Sequence, residues 1–221
     1  MSGKSYDGFF VGWGKKLPKG LPPFLIASVL FIVGLFAGTA FSFVATQSDP
    51  GEGAFRFDMG RQTIVGVLQA KPYPVIHAGP SEKYPQGHSI MLTGQGKRGV
   101  VKQASALDGQ RVQARGVLLK RGDLDMLQVA GRLKAMQGAV DPVDVTDLGS
   151  WRLSGEICDG KCYAGAMRPG TGLAHKACAN LCLIGGTPAV FVAKGAVDGA
   201  SFFMLSDETG EPLDERLYRI T

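Results

Sequence analysis

The longest apolar stretch of the chain lies near its N-terminus, between Gly20 and Ser48, where no charged residue occurs. Its centre is 22 residues of almost wholly apolar sequence, without the polar stripe that marks the exposed face of a soluble helix. About 20 such residues are enough for a helix to cross the hydrocarbon core of a bilayer. The pattern therefore predicts a transmembrane helix over residues 21–46.

Charged residues flank this segment asymmetrically. The arm of residues 1–20 holds four lysines against the single Asp7, whereas Asp49 and Glu52 follow the apolar segment. Positive charge stays on the cytoplasmic side of a membrane helix. The sequence thus predicts a protein of the bacterial inner membrane, with a cytoplasmic N-terminus, a linker over residues 47–58 and a periplasmic main domain.

A cleaved signal peptide is the alternative interpretation of the apolar segment. Signal peptides have a shorter apolar region, of about 7–15 residues, followed by a pair of small residues at the cleavage site. The segment is longer than that, although Gly38 and Ala40 form an acceptable pair of small residues. A retained anchor is the prediction.

Small residues recur within the predicted span, where Gly34 and Gly38 form a GxxxG motif. Such spacing lets two membrane helices approach closely. We expect this face of the helix to pack against another membrane subunit, with the remaining surface in contact with the lipid bilayer.

Residues 59–138 alternate between apolar and polar positions in a way typical of strands. The segments 61–76 and 88–94 are predicted strands, the first broken by prolines, and residues 102–109 form a helical turn. Residues 110–131 are predicted to form a hairpin of two strands, each with alternating apolar and polar residues. Strands with one short helix before the last hairpin predict a five-stranded barrel of the OB type, with Gly66 and Gly116 at tight bends.

A similar pattern follows a linker of residues 139–149. Residues 151–157, 189–195 and 201–207 are predicted strands, so residues 150–221 are interpreted as a second, incomplete OB-like module. Between its first two strands lies an insertion with helix-forming residues, which carries the cysteines. The fold class is therefore mainly β, with one membrane helix and two small barrel modules.

The net charge of the chain is +5, of which +3 belongs to the N-terminal arm. The remainder of the chain has only a small excess of positive charge. A nucleic-acid-binding domain carries a clustered basic face. No nucleic-acid partner is therefore predicted.

All four cysteines of the chain lie between residues 155 and 186. His175, Cys178 and Cys182 are spaced to share one face of a helix, and Cys162 precedes them in a loop that also holds Cys158. Three thiolates and one imidazole at Cys162, His175, Cys178 and Cys182 suit copper or zinc. The alternative is a set of disulfides that includes Cys158, since compartments outside the cytoplasm are oxidising. The sequence leaves both alternatives open and assigns no other cofactor.

The cysteine stretch also resembles a known pattern. Its Cys162-Tyr163 pair and its His-x-x-Cys-Ala-x-x-Cys run from His175 to Cys182 resemble a signature of poorly characterised bacterial extracytoplasmic proteins with OB-like domains. Cys158 is additional here. The resemblance implies an OB-like fold outside the cytoplasm, and similar membrane-anchored proteins tend to occur among components of membrane electron-transfer systems.

No nucleophile and base stand at a recognisable spacing in the sequence, so a non-enzymatic role is expected. The first functional hypothesis is an accessory or assembly subunit of a bacterial membrane electron-transfer complex, which binds other subunits through its helix and its β-domain. The second is an extracytoplasmic protein that binds or delivers copper or zinc. The third is an anchored interaction domain stapled by disulfides.

The charge asymmetry generates a test of topology. A reporter enzyme that is active only outside the cytoplasm, fused after Thr221, is expected to be active, because the lysines hold the N-terminus inside. The measurement is reporter activity in intact cells, with a cytoplasm-specific reporter at the same position as the control. Activity of the cytoplasmic reporter instead would contradict the predicted orientation.

Overall fold

A computed structural model describes residues 20–46, 50–82, 85–139, 143 and 145–213. The chain divides into two compact units, residues 1–47 and residues 48–221. The predicted N-terminal arm and the start of the predicted linker lie largely outside the described residues.

The first unit contains helix α1 (Leu21–Thr46), in which no residue is buried. Its length and composition are those of a membrane anchor or of a signal sequence. The prediction of one long apolar helix near the N-terminus is confirmed. In the described part of the chain, a Cβ atom added at Gly34 or Gly38 would meet nothing within 4 Å. The packing of these glycines on another subunit stays a prediction.

The second unit begins with a sheet that closes into a barrel. Its strands are β1 (Ala54–Phe55), β2 (Gln62–Gln69), β3 (Val75–Ala78), β4 (His88–Thr93), β5 (Arg111–Arg121), β6 (Leu124–Val129) and β7 (Lys134–Ala135). Strands β2, β3 and β4 pair antiparallel in sequence order, β4 pairs parallel with β6, and β5 pairs with both β6 and β2. The predicted five-stranded barrel is therefore confirmed.

Short elements complete this barrel. Helix α2 (Val101–Ala104) and a 3₁₀ turn (Ser105–Leu107) connect β4 to β5, where the sequence predicts a helical turn. The short strands β1 and β7 both pair antiparallel with β5. Strands β2 and β3 are separate, as the prolines between them predict, because proline cannot donate a ladder hydrogen bond.

Alternation along the strands fills the interior of the barrel. Inward positions are apolar and fully buried, and they come from every barrel strand: Leu68, Ile76, Leu92, Val112 and Leu127. Burying each such side chain stabilises the fold by about 1.5–3 kcal/mol. The sequence pattern predicts these strands well because its apolar positions are the ones that point into this core.

Gly116 lies at the closure of the barrel, where it pairs with Gln62 of β2 and with Val129 of β6. A Cβ atom added at Gly116 would stand 2.1 Å from the carbonyl oxygen of Gln128. Gly66 is crowded in the same way, 2.3 Å from the carbonyl oxygen of His77. Both glycines permit the close approach of backbones that a small barrel requires.

A second, three-stranded sheet follows. It consists of β8 (Gly155–Asp159), β9 (Ala189–Val197) and β10 (Ala200–Met204), antiparallel and with β9 in the centre. Between β8 and β9 lie a π-helical turn (Cys162–Ala166) and helix α3 (Lys176–Ile184). The helical insertion is therefore confirmed, but Cys158 belongs to strand β8 and not to the predicted loop.

The small sheet packs on the outside of the barrel. One apolar cluster joins Cys158 and Val190 of the sheet to Met91, Leu119 and Met126 of the barrel. Tyr163 and Ala164 of the π-helical turn belong to the same cluster. The barrel and the small sheet thus share a core within one compact unit.

The closure of the barrel generates a prediction for Gly116→Ala. The added Cβ has to displace the backbone of β6, and overpacking of this kind costs about 1–3 kcal/mol of unfolding free energy. Urea unfolding of the full chain in detergent, followed by circular dichroism, measures the loss. The control is Gly79→Ala, at an exposed glycine where nothing lies within 4 Å of the added atom. Equal stability of the two variants would contradict the prediction.

Candidate metal centre

Three cysteine sulfurs converge between the small sheet and helix α3. The Sγ atoms of Cys162, Cys178 and Cys182 all lie within 4.8 Å of one another. Cys162 is on the π-helical turn after β8, and the other two are one turn apart on α3. Cys162 and Cys182 are buried, whereas Cys178 is half-exposed. The structure therefore brings together three of the four predicted ligands.

Local geometry fixes the position of Cys162. Asp159, the last residue of β8, is fully buried, and one of its carboxylate oxygens accepts a hydrogen bond of 2.8 Å from the Cys162 amide. Gly165 in the same turn has a φ of 126°, a conformation that side chains rarely adopt. The carboxylate and the glycine together turn the chain so that Cys162 faces α3.

His175, the fourth predicted ligand, belongs to an adjoining group with Asp159 and Cys162. Its Nε2 lies 2.9 Å from the other carboxylate oxygen of Asp159, and the ring is only 4% exposed. Asp159 is not among the residues predicted from the sequence. The only sequence signal for it is an acidic residue next to Cys158 at the predicted end of a strand.

A loop of the barrel also reaches the sulfurs. The amide of Gly99 donates a 2.8 Å hydrogen bond to the carbonyl of Gly185, at the C-terminal end of α3. The same loop carries Lys97, whose ammonium lies 2.6 Å from the Sγ of Cys178 and 4.0 Å from that of Cys182. Nothing in the sequence pattern connects Lys97 with the cysteines, which lie some 80 positions further along the chain.

Lys161 holds this loop in place through two hydrogen bonds. It is 3% exposed, and its ammonium donates hydrogen bonds to the carbonyl oxygens of Gly94 and Gly96, at 2.7 and 2.6 Å. Burial lowers the pKa of Lys161 because a charged amine loses hydration there. Two carbonyl acceptors compensate for that loss, so the lysine joins the cysteine segment to the barrel.

The two buried thiols of the group interact directly. The Sγ atoms of Cys162 and Cys182 are 3.9 Å apart. The hydrogen bond between them raises the pKa of Cys162 and lowers the pKa of Cys182, and the charge of Lys97 lowers the latter further. The pair therefore favours a proton on Cys162 and a thiolate at Cys182.

None of the four cysteines is bonded to another. A disulfide has a bond of about 2.05 Å, so Cys162 and Cys182 would have to move closer to form one. Cys158 is 1% exposed and lies in the apolar cluster between the sheet and the barrel. Burial raises its pKa, which favours the neutral thiol of a core residue.

Comparisons of the chain with protein-family models, with curated proteins and with solved structures find no match. A function for this protein therefore has to be inferred from the chemistry of the site.

The role of Lys161 generates a prediction. Lys161→Met removes both hydrogen bonds and leaves the carbonyl of the buried Gly94 without this donor, a loss of about 1–3 kcal/mol for an unsatisfied buried group. Hydrogen exchange of the amides in residues 94–99 is expected to become faster in the full chain. The control is Lys194→Met, at an exposed lysine of β9. Unchanged exchange in Lys161→Met would mean that the loop is held by other contacts.

Proposed function

We propose that this protein is a membrane-anchored, extracytoplasmic protein that binds one soft metal ion, copper or zinc, through Cys162, Cys178 and Cys182. The observation that carries the proposal is the mutual approach of three sulfurs within 4.8 Å.

The spacing of the sulfurs suits a metal. Thiolates bound tetrahedrally to zinc at about 2.3 Å stand about 3.8 Å apart, and a trigonal copper(I) site has a similar edge. The 3.9 Å between Cys162 and Cys182 matches that edge. These two sulfurs therefore already stand at the separation that a shared metal ion requires.

The surrounding charges favour the same function. The ammonium of Lys97 lies 2.6 Å from the Sγ of Cys178, where it offsets part of the negative charge of bound thiolates. His175 is oriented by Asp159, as an imidazole that assists a metal site commonly is. His175 is the candidate for a fourth ligand if its ring turns from Asp159 toward the ion.

The topology of the barrel supports the interpretation as an OB-type fold. We interpret it as an OB-type barrel because its strands pair in the order of that fold, with the helix between the third and fourth barrel strands. The small sheet is interpreted as a reduced second module. The lysine-rich arm supports an N-terminus in the cytoplasm, with the metal centre in the periplasm.

A catalytic role is not proposed, although Cys162, His175 and Asp159 have the side-chain types of a cysteine hydrolase. All three are at most 4% exposed. A substrate would not reach the sulfur of Cys162 past the helix and the barrel loop.

The role of an accessory subunit in a membrane electron-transfer complex is the second candidate. It is favoured by exposed apolar side chains beside the site, since Leu181 and Ile184 of α3 are 55% and 64% exposed. Larger exposed apolar patches mark protein interaction sites. Metal binding and a place in such a complex are compatible.

The test is metal titration of the full chain in detergent, after reduction and without oxygen. One equivalent of copper(I) or zinc is expected to bind per chain. Cys162→Ser and Cys182→Ser each remove a ligand, and we expect the affinity to fall by more than the 10- to 100-fold typical of residues that only support ligands. Cys158→Ala is the matched control, and it is expected to keep the metal.

His175→Ala and thiol counting complete this test. His175→Ala is expected to weaken binding, because the imidazole either binds the ion or supports its ligands. Stapling by disulfides predicts instead that free thiols are scarce without reductant and that metal stays at background. That result would contradict the proposed function.

A further inference from the structure

Access to the three sulfurs is unequal. Cys162 and Cys182 are 3% and 1% exposed, whereas Cys178 is half-exposed at the edge of α3. A metal ion that enters from solvent therefore meets Cys178 first. The exchange of metal with any carrier has to begin at this sulfur.

Positive charge stands at this entrance. Lys97 is exposed, and its ammonium lies 2.6 Å from the Sγ of Cys178. Arg98, the next residue of the loop, is exposed as well. A hydrated cation is repelled by these charges, whereas an anionic complex is attracted to them.

From these observations we infer that the site takes up its metal ion from an anionic metal complex, which docks on Lys97 and transfers the metal first to Cys178. This inference rests on the proposed metal-binding function and specifies the chemical class of the metal donor.

With copper(I) as the metal, the transfer is a ligand exchange without a redox step. The Lys97 ammonium leaves the Sγ of Cys178 and pairs with the anionic donor. A copper–sulfur bond forms at Cys178 while a bond from copper to the donor breaks, and the donor ligand leaves with its electron pair. Cys182 and Cys162 then replace the remaining donor bonds. Each cysteine proton that copper displaces passes to the departing ligand or to water. Copper stays in the +1 state throughout.

The experiment measures the rate of loading in the full chain. The probe is the copper(I) bis-bicinchoninate complex, which is anionic and loses its colour as it gives up the metal. Lys97→Met is expected to slow the transfer about fivefold, the effect of one unit charge at close range in water. Lys97→Arg is expected to restore the rate, and added salt is expected to reduce the difference.

Two controls make the result specific. Lys102→Met removes an exposed positive charge from helix α2 and is expected to load at the unmodified rate. With the cationic copper(I)–acetonitrile complex as donor, Lys97→Met is expected to load at least as fast as the unmodified chain. Lys97→Met is thus expected to slow copper transfer from the anionic donor and not from the cationic donor.

The outcomes separate this inference from the function on which it rests. Equal loading rates of Lys97→Met and the unmodified chain from the anionic donor would overturn the inference, as would equal slowing with both donors. Failure of the unmodified chain to bind either copper(I) or zinc, with normal folding, would overturn the proposed metal binding itself.

Discussion

The buried ammonium of Lys161 is the contact on which the candidate site depends. It lies next to Cys162 in the chain but donates its hydrogen bonds to Gly94 and Gly96 of the barrel. A buried lysine is costly unless its charge is compensated. Here the compensation comes from backbone carbonyls of a distant segment, so the cysteine segment and the barrel loop stabilise each other's position.

Apolar contacts also hold the cysteine segment against the barrel. The face of the small sheet and the π-helical turn pack on the outside of the barrel through one cluster, which contains Cys158 and Tyr163. A second contact joins the barrel loop to the end of α3, where Gly185 carries no side chain that would separate them. The three sulfurs are therefore held by a frame of two sheets, and not by the insertion alone.

The electrostatics of the site follow from this frame. Cys178 and Cys182 have the ammonium of Lys97 beside them, and Asp159 binds both the backbone of Cys162 and the ring of His175. Each buried charge thus has a partner of opposite sign or a hydrogen bond. The half-exposed position of Cys178 leaves one side of the group open to solvent.

Features that depend on neighbours along the chain could be predicted from the sequence. Apolar length predicted α1, alternation predicted the barrel strands, and helical spacing placed Cys178 and Cys182 on one face of α3, because these periodicities are local properties of the backbone. The tertiary structure alone decided that Lys97 reaches Cys178, that Asp159 engages His175 and that Cys158 belongs to the core. These contacts join segments separated by turns and by whole strands, and no local period records which loop closes over which helix.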